Sequence, residues 1–216
     1  MDIYAERLFG ELQKMPLDAR LFRPSSGVER YSDSRFVMRY LRYLDYPRQV
    51  RQYCATDVDV EDVVHVLDHG YAHLLGSVQS NSRSSSLSSG PKTCITVHDL
   101  IPILAWRGRF GHEHVGRRPR LALHSAKYLS SATKLFADSS NTANDLHAEF
   151  DIPMNRIEVV PAPLDAGFVR STELEISEFR KNNDISSEYF WILVSGNEFY
   201  KNHSVIVSTF NKLKSE

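Results

Sequence analysis

Residues 92–104 read KTCITVHDLIPIL, and the reading of this stretch decides the fold. Thr93, Cys94, Ile95, Thr96 and Val97 are β-branched or apolar, with Gly90 and Pro91 before them and Pro102 after. A short run of this kind between chain breakers has the pattern of a buried strand in an α/β sheet. His98 and Asp99 fall where that strand ends. Open α/β sheets bind ligands outside the carboxyl ends of their strands. The pair is therefore a candidate catalytic site. The competing interpretation is a strand cap followed by a turn.

Working outward, DVVHVL at 62–67 is a second buried-strand candidate, again followed by a polar pair, Asp68 and His69. Short strands are also expected at 134–137, 157–160 and 189–195, and around 19–22. Helical periodicity runs through 3–15, 34–46, 121–132, 141–150 and 202–213. Pro16 and Pro47 stop the first two, and Ser139 and Ser140 offer an N-cap to the fourth. Residues 165–188 suit a linker helix, and 196–201 a turn. Residues 77–91 hold eight serines and form a surface loop, as do the Arg- and Gly-rich residues 105–120. Strands alternating with helices indicate a doubly wound parallel α/β sheet.

The balance of 42% hydrophobic and 25% charged residues, with a formal charge of −1, gives no overall field for nucleic acid. Cys54 and Cys94, the only cysteines, lie in no CxxC pattern, so a disulfide framework and a thiolate zinc site are unsupported. A reducing cytoplasm fits. No apolar run approaches the roughly 20 residues of a membrane span. The segment 20–51 holds eight arginines, Arg42 among them, which are explained by a solvated face or by a surface for phosphate or anionic lipid. Arg107, Arg109, Arg117, Arg118 and Arg120 outnumber the single acid of their loop, Glu113. They too could serve an anionic acceptor or a peripheral membrane contact. His69 and His73 are four apart, but Gly70 lies between them and no HExxH pattern occurs, so no metal site is assigned.

Five motifs in order carry a resemblance: DVVHVLDHGYAHLL (62–75), TCITVHDLIPIL (93–104), SAKYLSSATKLFADSSNTANDL (125–146), IEVVPAPLDAGF (157–168) and ILVSGNEFYKN (192–202). Together they resemble group 1 glycosyltransferases of the GT-B fold, across roughly residues 60–213. That resemblance implies an acceptor-side Rossmann-like domain at 1–170, a linker at 171–188, and the first β-α unit of a nucleotide-sugar-binding domain at 189–216. It implies a hexosyl transfer from a nucleotide sugar to a glycan or lipid-linked acceptor, with retention at the anomeric carbon. It implies polysaccharide biosynthesis in the cytoplasm or against the inner membrane face, and no metal cofactor.

By the same resemblance, His98 reaches the transferred sugar; Asp99, its neighbour at the strand end, is kept as a catalytic candidate by its place. Ser139, Ser140, Asn141 and Thr142 face the cleft, with Arg107 and Arg109 as further substrate-binding candidates. Gly196, Asn197 and Lys201 meet the donor diphosphate. The pattern is broken at two places: Asn197 stands where the family usually has arginine, and Ala162-Pro163 where it has Asn-Gly. The family also begins with a strand and a glycine-rich loop and continues into a full donor domain. The expectation is a fragment with little activity alone. The alternative is a non-catalytic binding module derived from such an enzyme.

Overall fold

A computed structural model describes residues 2–25, 34–79, 90–111, 119–163, 167–187, 191–193, 196 and 198–214. Two compact units divide the chain, one of Met1–Arg109 with Val115–Pro161, the other of Phe110–His114 with Ala162–Glu216.

Among the described residues the first unit holds four strands, β1 (Val63–Val66), β2 (Lys92–Val97), β3 (Lys134–Ala137) and β4 (Ile157–Val159). All pair in parallel, in the order β1-β2-β3-β4. The expected Rossmann-like α/β architecture is present. Register aligns Val66 with Ile95, Ile95 with Leu135, and Leu135 with Ile157, so these side chains share one face. A β-strand crossover to a parallel neighbour is right-handed in nearly all cases. With strands added in sequence order, that rule sends every crossover helix to the same face.

The core agrees. Ile95, Val97, Leu135, Ala137 and Ile157 pack with Leu75 of α4 (Leu75–Gln79) and with Ile103 and Leu104 of α5 (Ile101–Trp106). Ala126 of α6 (Arg120–Ala126) and Ala143 and Leu146 of α7 (Ser140–Phe150) join the same cluster. The opposite face is met by α1 (Asp2–Leu12), whose Tyr4 hydroxyl lies 3.5 Å from Thr96 Oγ1.

Leu41, Tyr46, Val50, Cys54, Leu74 and Val78 form a second cluster under α2 (Arg35–Tyr40) and α3 (Tyr46–Asp57). Pro47 was expected to end this helix, yet it lies in the first turn of α3. A helical proline lacks an N–H and its ring crowds the preceding turn. Here the turn before it, Leu41–Asp45, is widened to a π-turn, with Tyr46 N bonded to Leu41 O. The helical path therefore continues through the proline.

Other expectations are corrected. Residues 19–22 carry no strand, and Arg20 instead donates to Asp57 O. The apolar tail of the opening stretch is α5, with Pro102 at the start, where a missing N–H costs nothing. The helix expected over 121–132 stops at Ala126 and resumes as a short 3₁₀ turn, Leu129–Ser131.

In the second unit, α8 (Glu173–Asn182) begins with a capping box: Glu175 N donates to Thr172 Oγ1 at 3.3 Å, and Thr172 N to Glu175 Oε2 at 2.7 Å. α9 (His203–Lys214) closes the chain as expected. Residues 191–193, inside the strand expected at 189–195, are not in a strand, and its remaining residues lie outside the described ones. Among the described residues no helix is long and apolar enough to cross a membrane.

Candidate functional site

Each of the first three strands ends in a polar pair: Asp68-His69 after β1, His98-Asp99 after β2 and Asp138-Ser139 after β3. Parallel pairing in register puts the three pairs along one edge of the sheet. Short polar side chains suit that place because each can take up a backbone N–H freed where the chain turns. Asp68 Oδ1 accepts from Gly70 N at 2.7 Å. Asp99 Oδ1 accepts from Ile101 N at 3.0 Å, and Ser139 Oγ from Thr142 N at 3.1 Å as the N-cap of α7.

His98 is held from several sides. Its Nδ1 lies 3.6 Å from Asp138 Oδ2, and both side chains are a little under 30% exposed, at 28% and 29%. The Thr142 hydroxyl reaches the His98 carbonyl at 3.1 Å and Asp138 Oδ1 at 3.2 Å. Ser139 Oγ lies 2.9 Å from Thr142 Oγ1. The Tyr4 ring meets the His98 ring edge-on, with centroids 5.4 Å apart.

His69 belongs to the same edge. Its Nδ1 is buried without a hydrogen-bond partner, 3.4 Å from Asp68 Oδ1. Burial pushes its pKa down. Asp68 and Asp99 oppose the shift, and His98 and Arg42 add to it. Burial thus disfavours the charged form of His69 at this edge.

Arg42, one of the eight arginines of the 20–51 segment, lies close by. Its guanidinium stacks over Tyr71 at 4.2 Å and donates to Gly70 O. A Cβ on Gly70 would come within 2.6 Å of Arg42 Nη2, so a larger residue there would displace the guanidinium. His73 does not join His69: its Nδ1 bonds Ser125 Oγ at 3.0 Å and its Nε2 the Arg42 carbonyl at 2.9 Å. Burial lowers its pKa.

The expected residues thus sort by place. His98, Asp99 and the Ser139–Thr142 segment converge, with Ser140 and Asn141 exposed and Thr142 only 5% exposed. Arg107 and Arg109 lie with Glu149: Arg107 pairs with Glu149 Oε2, and Arg109 Nε is 3.8 Å from Oε1. Glu149 is nine residues along α7 from Ser140, roughly 13 Å at the helical rise. The two arginines therefore reach the far end of α7. Gly196 and Lys201 belong to the second unit, where Lys201 ends a 3₁₀ turn with Nζ 5.2 Å from the Tyr200 ring. Asn197, Arg117 and Arg118 lie outside the described residues.

Asp138 and the clasp made by Thr142 were missed at the level of sequence. The available signal was the polar pair after a third apolar run, the pattern already noted after β1 and β2.

The sequence profile of Glycosyltransferase Family 4 matches residues 2–168. The chain belongs to glycosyltransferase family 4. The match spans all four strands of this family-4 chain and every residue of the His98 edge, and it ends before Gly196 and Lys201. Membership carries the GT-B type of fold with it and implies a sugar donor and an acceptor in general terms. No curated protein matches the chain.

Proposed function

We propose that this chain is the acceptor-side part of a retaining, group 1 glycosyltransferase. It moves a hexose from a nucleotide sugar to a glycan or lipid-linked acceptor, with little turnover by itself. The observation that supports this reading is the convergence of His98, Asp138 and Thr142 at the carboxyl edge of the sheet, inside the family-matched span.

In the proposed reaction the bond between the anomeric carbon and the donor phosphate breaks, and the acceptor oxygen bonds to that carbon on the same side. The departing phosphate takes the acceptor proton, so no protein nucleophile is needed. His98 hydrogen-bonds a hydroxyl of the transferred sugar and holds the ring in place. Ser140 and Asn141, exposed at the start of α7, contribute hydroxyl and amide groups to sugar oxygens. Asp99, whose Oδ1 accepts from Ile101 N at the start of α5, keeps the His98 turn in place. In the second unit, Lys201 is the candidate whose ammonium would meet a donor diphosphate, with Gly196 and Asn197 near it in sequence.

The test is release of nucleoside diphosphate from a panel of nucleotide sugars, followed long enough to see slow turnover. His98→Ala is expected to lower release by about a hundredfold, about 3 kcal/mol of transition-state stabilisation. Its melting temperature should stay unchanged. Unaltered release in His98→Ala overturns the assignment, and a joint collapse of release and melting temperature makes His98 a structural cap. If the unaltered chain releases none and binds no nucleotide sugar, the enzymatic reading falls and a binding module remains.

A further inference from the structure

The role proposed for His98 leaves open how its ring is held, and the surrounding geometry speaks to that. Asp138 is more than a neighbouring acid. It stands one residue past β3, and its N–H still reaches Val97 O at 3.4 Å, continuing the ladder beyond the strand. Its position is therefore set by the sheet. One carboxylate oxygen faces His98 Nδ1 and the other accepts from the Thr142 hydroxyl. The one proton of that hydroxyl is shared with the His98 carbonyl, 3.1 Å from the same oxygen. Backbone and ring of His98 are thus referenced to a single buried hydroxyl. Ser139 fixes that hydroxyl in turn, because Thr142 N donates to Ser139 Oγ while the two side-chain oxygens lie 2.9 Å apart.

We propose that Asp138, held by Thr142, is a positioning residue that keeps the His98 proton on Nδ1 and turns Nε2 outward as a hydrogen-bond acceptor for a sugar hydroxyl. The inference rests on the reading of His98 given above. A carboxylate beside one ring nitrogen favours the proton there, which leaves the other nitrogen with a lone pair. The Tyr4 ring, edge-on to His98, limits rotation from the other side. A sugar hydroxyl can donate to Nε2 in this tautomer, whereas an Nε2–H form would have to donate to the sugar. The function of Thr142 is then to aim Asp138 as well as to begin a helix.

The experiment is long-range ¹H–¹⁵N correlation of the imidazoles in the folded chain. It reports the His98 tautomer without any turnover. Assignment by His98→Ala, together with Asp138→Asn, Thr142→Val and Thr142→Ser, completes the set. The expected result is an Nδ1–H tautomer in the unaltered chain and in Thr142→Ser, which keeps the hydroxyl. Asp138→Asn and Thr142→Val should shift it toward Nε2–H. In the release assay, Asp138→Asn should lower kcat by about tenfold with KM little changed, the mark of misplacement and not of lost binding.

An unchanged tautomer in Asp138→Asn overturns the inference, as does an Nε2–H tautomer in the unaltered chain. If Asp138→Asn melts early, the Thr142→Val and Thr142→Ser pair decides: equal tautomers in both refute the clasp. Failure of the underlying reading looks different, because His98→Ala would then keep full release while the tautomer still followed Asp138.

Discussion

The two faces of β2 are both buried, and along Cys94–Val97 they are held differently. On one face lie Ile95 and Val97, in line with Leu135, Ala137 and Ile157 of the neighbouring strands, all apolar and packed under the crossover helices. On the other lie Cys94 and Thr96, beside His65 of β1 and Phe136 of β3. There the contacts are directional: Thr96 Oγ1 bonds His65 Nε2 at 2.9 Å and faces the Tyr4 hydroxyl, and the His65 and Phe136 rings lie 5.3 Å apart. Burial and apolarity are thus separate properties of one strand. The first face is held by volume, which tolerates exchange among shapes of equal size. The second is held by matched partners, and a buried polar group that loses its partner is costly.

The largest effect should come from the apolar face. Ile95 has no exposed surface, so Ile95→Ala leaves a cavity among close-packed neighbours and should cost about 4 kcal/mol in denaturant unfolding. A loss under about 1 kcal/mol would mean that the two faces are not held differently.

Acid should act on the polar face alone. Burial lowers the His65 pKa from 6.5 to about 4. Between those values the unfolded chain binds a proton that the folded chain refuses. The contribution of neutral His65 is therefore fully present above pH 6.5 and is lost as pH falls toward 4, amounting to about 3 kcal/mol. Stability curves at pH 7 and pH 4.5, compared with those of His65→Gln, isolate this effect from the carboxylates. Parallel curves for the two proteins would remove it.

The smallest effect is expected from Thr96→Val, nearly equal in volume, which takes one partner from His65 Nε2. The cost should be about 1–2 kcal/mol, with little effect on packing. A neutral outcome would show that His65 finds another partner and that the polar face is held by volume after all.

β1 and β2 were legible because their β-branched runs are bounded by glycine, proline or polar pairs, and the His98 edge was legible because such pairs follow those runs. What escaped depended on distance in sequence. α5 was hidden because Leu100 to Leu104 reads as more of the same apolar run, and Pro102 serves equally as a stop or as a first helical residue. Pro47 looked like a terminator because nothing in the residues before it announces a π-turn. Asp138 gains its meaning only when α7 lands beside β2, which brings Thr142 to a carbonyl 44 residues away. Arg107 and Arg109 looked like free cations because Glu149, about forty residues on, offers no local cue.

The order β1-β2-β3-β4 bears on synthesis as much as on shape. Among the described residues each strand after β1 pairs with the one made just before it, so these four can join in the order in which a ribosome delivers them, with none threaded between two already paired. Loop closure is limited to successive neighbours, which keeps its entropic cost low at each step. Until β4 and α7 are delivered, however, β3 is an open edge whose Leu135 and Ala137 lack part of their cover. The interval between the emergence of β3 and that of β4 is when the growing chain is most exposed to mispairing.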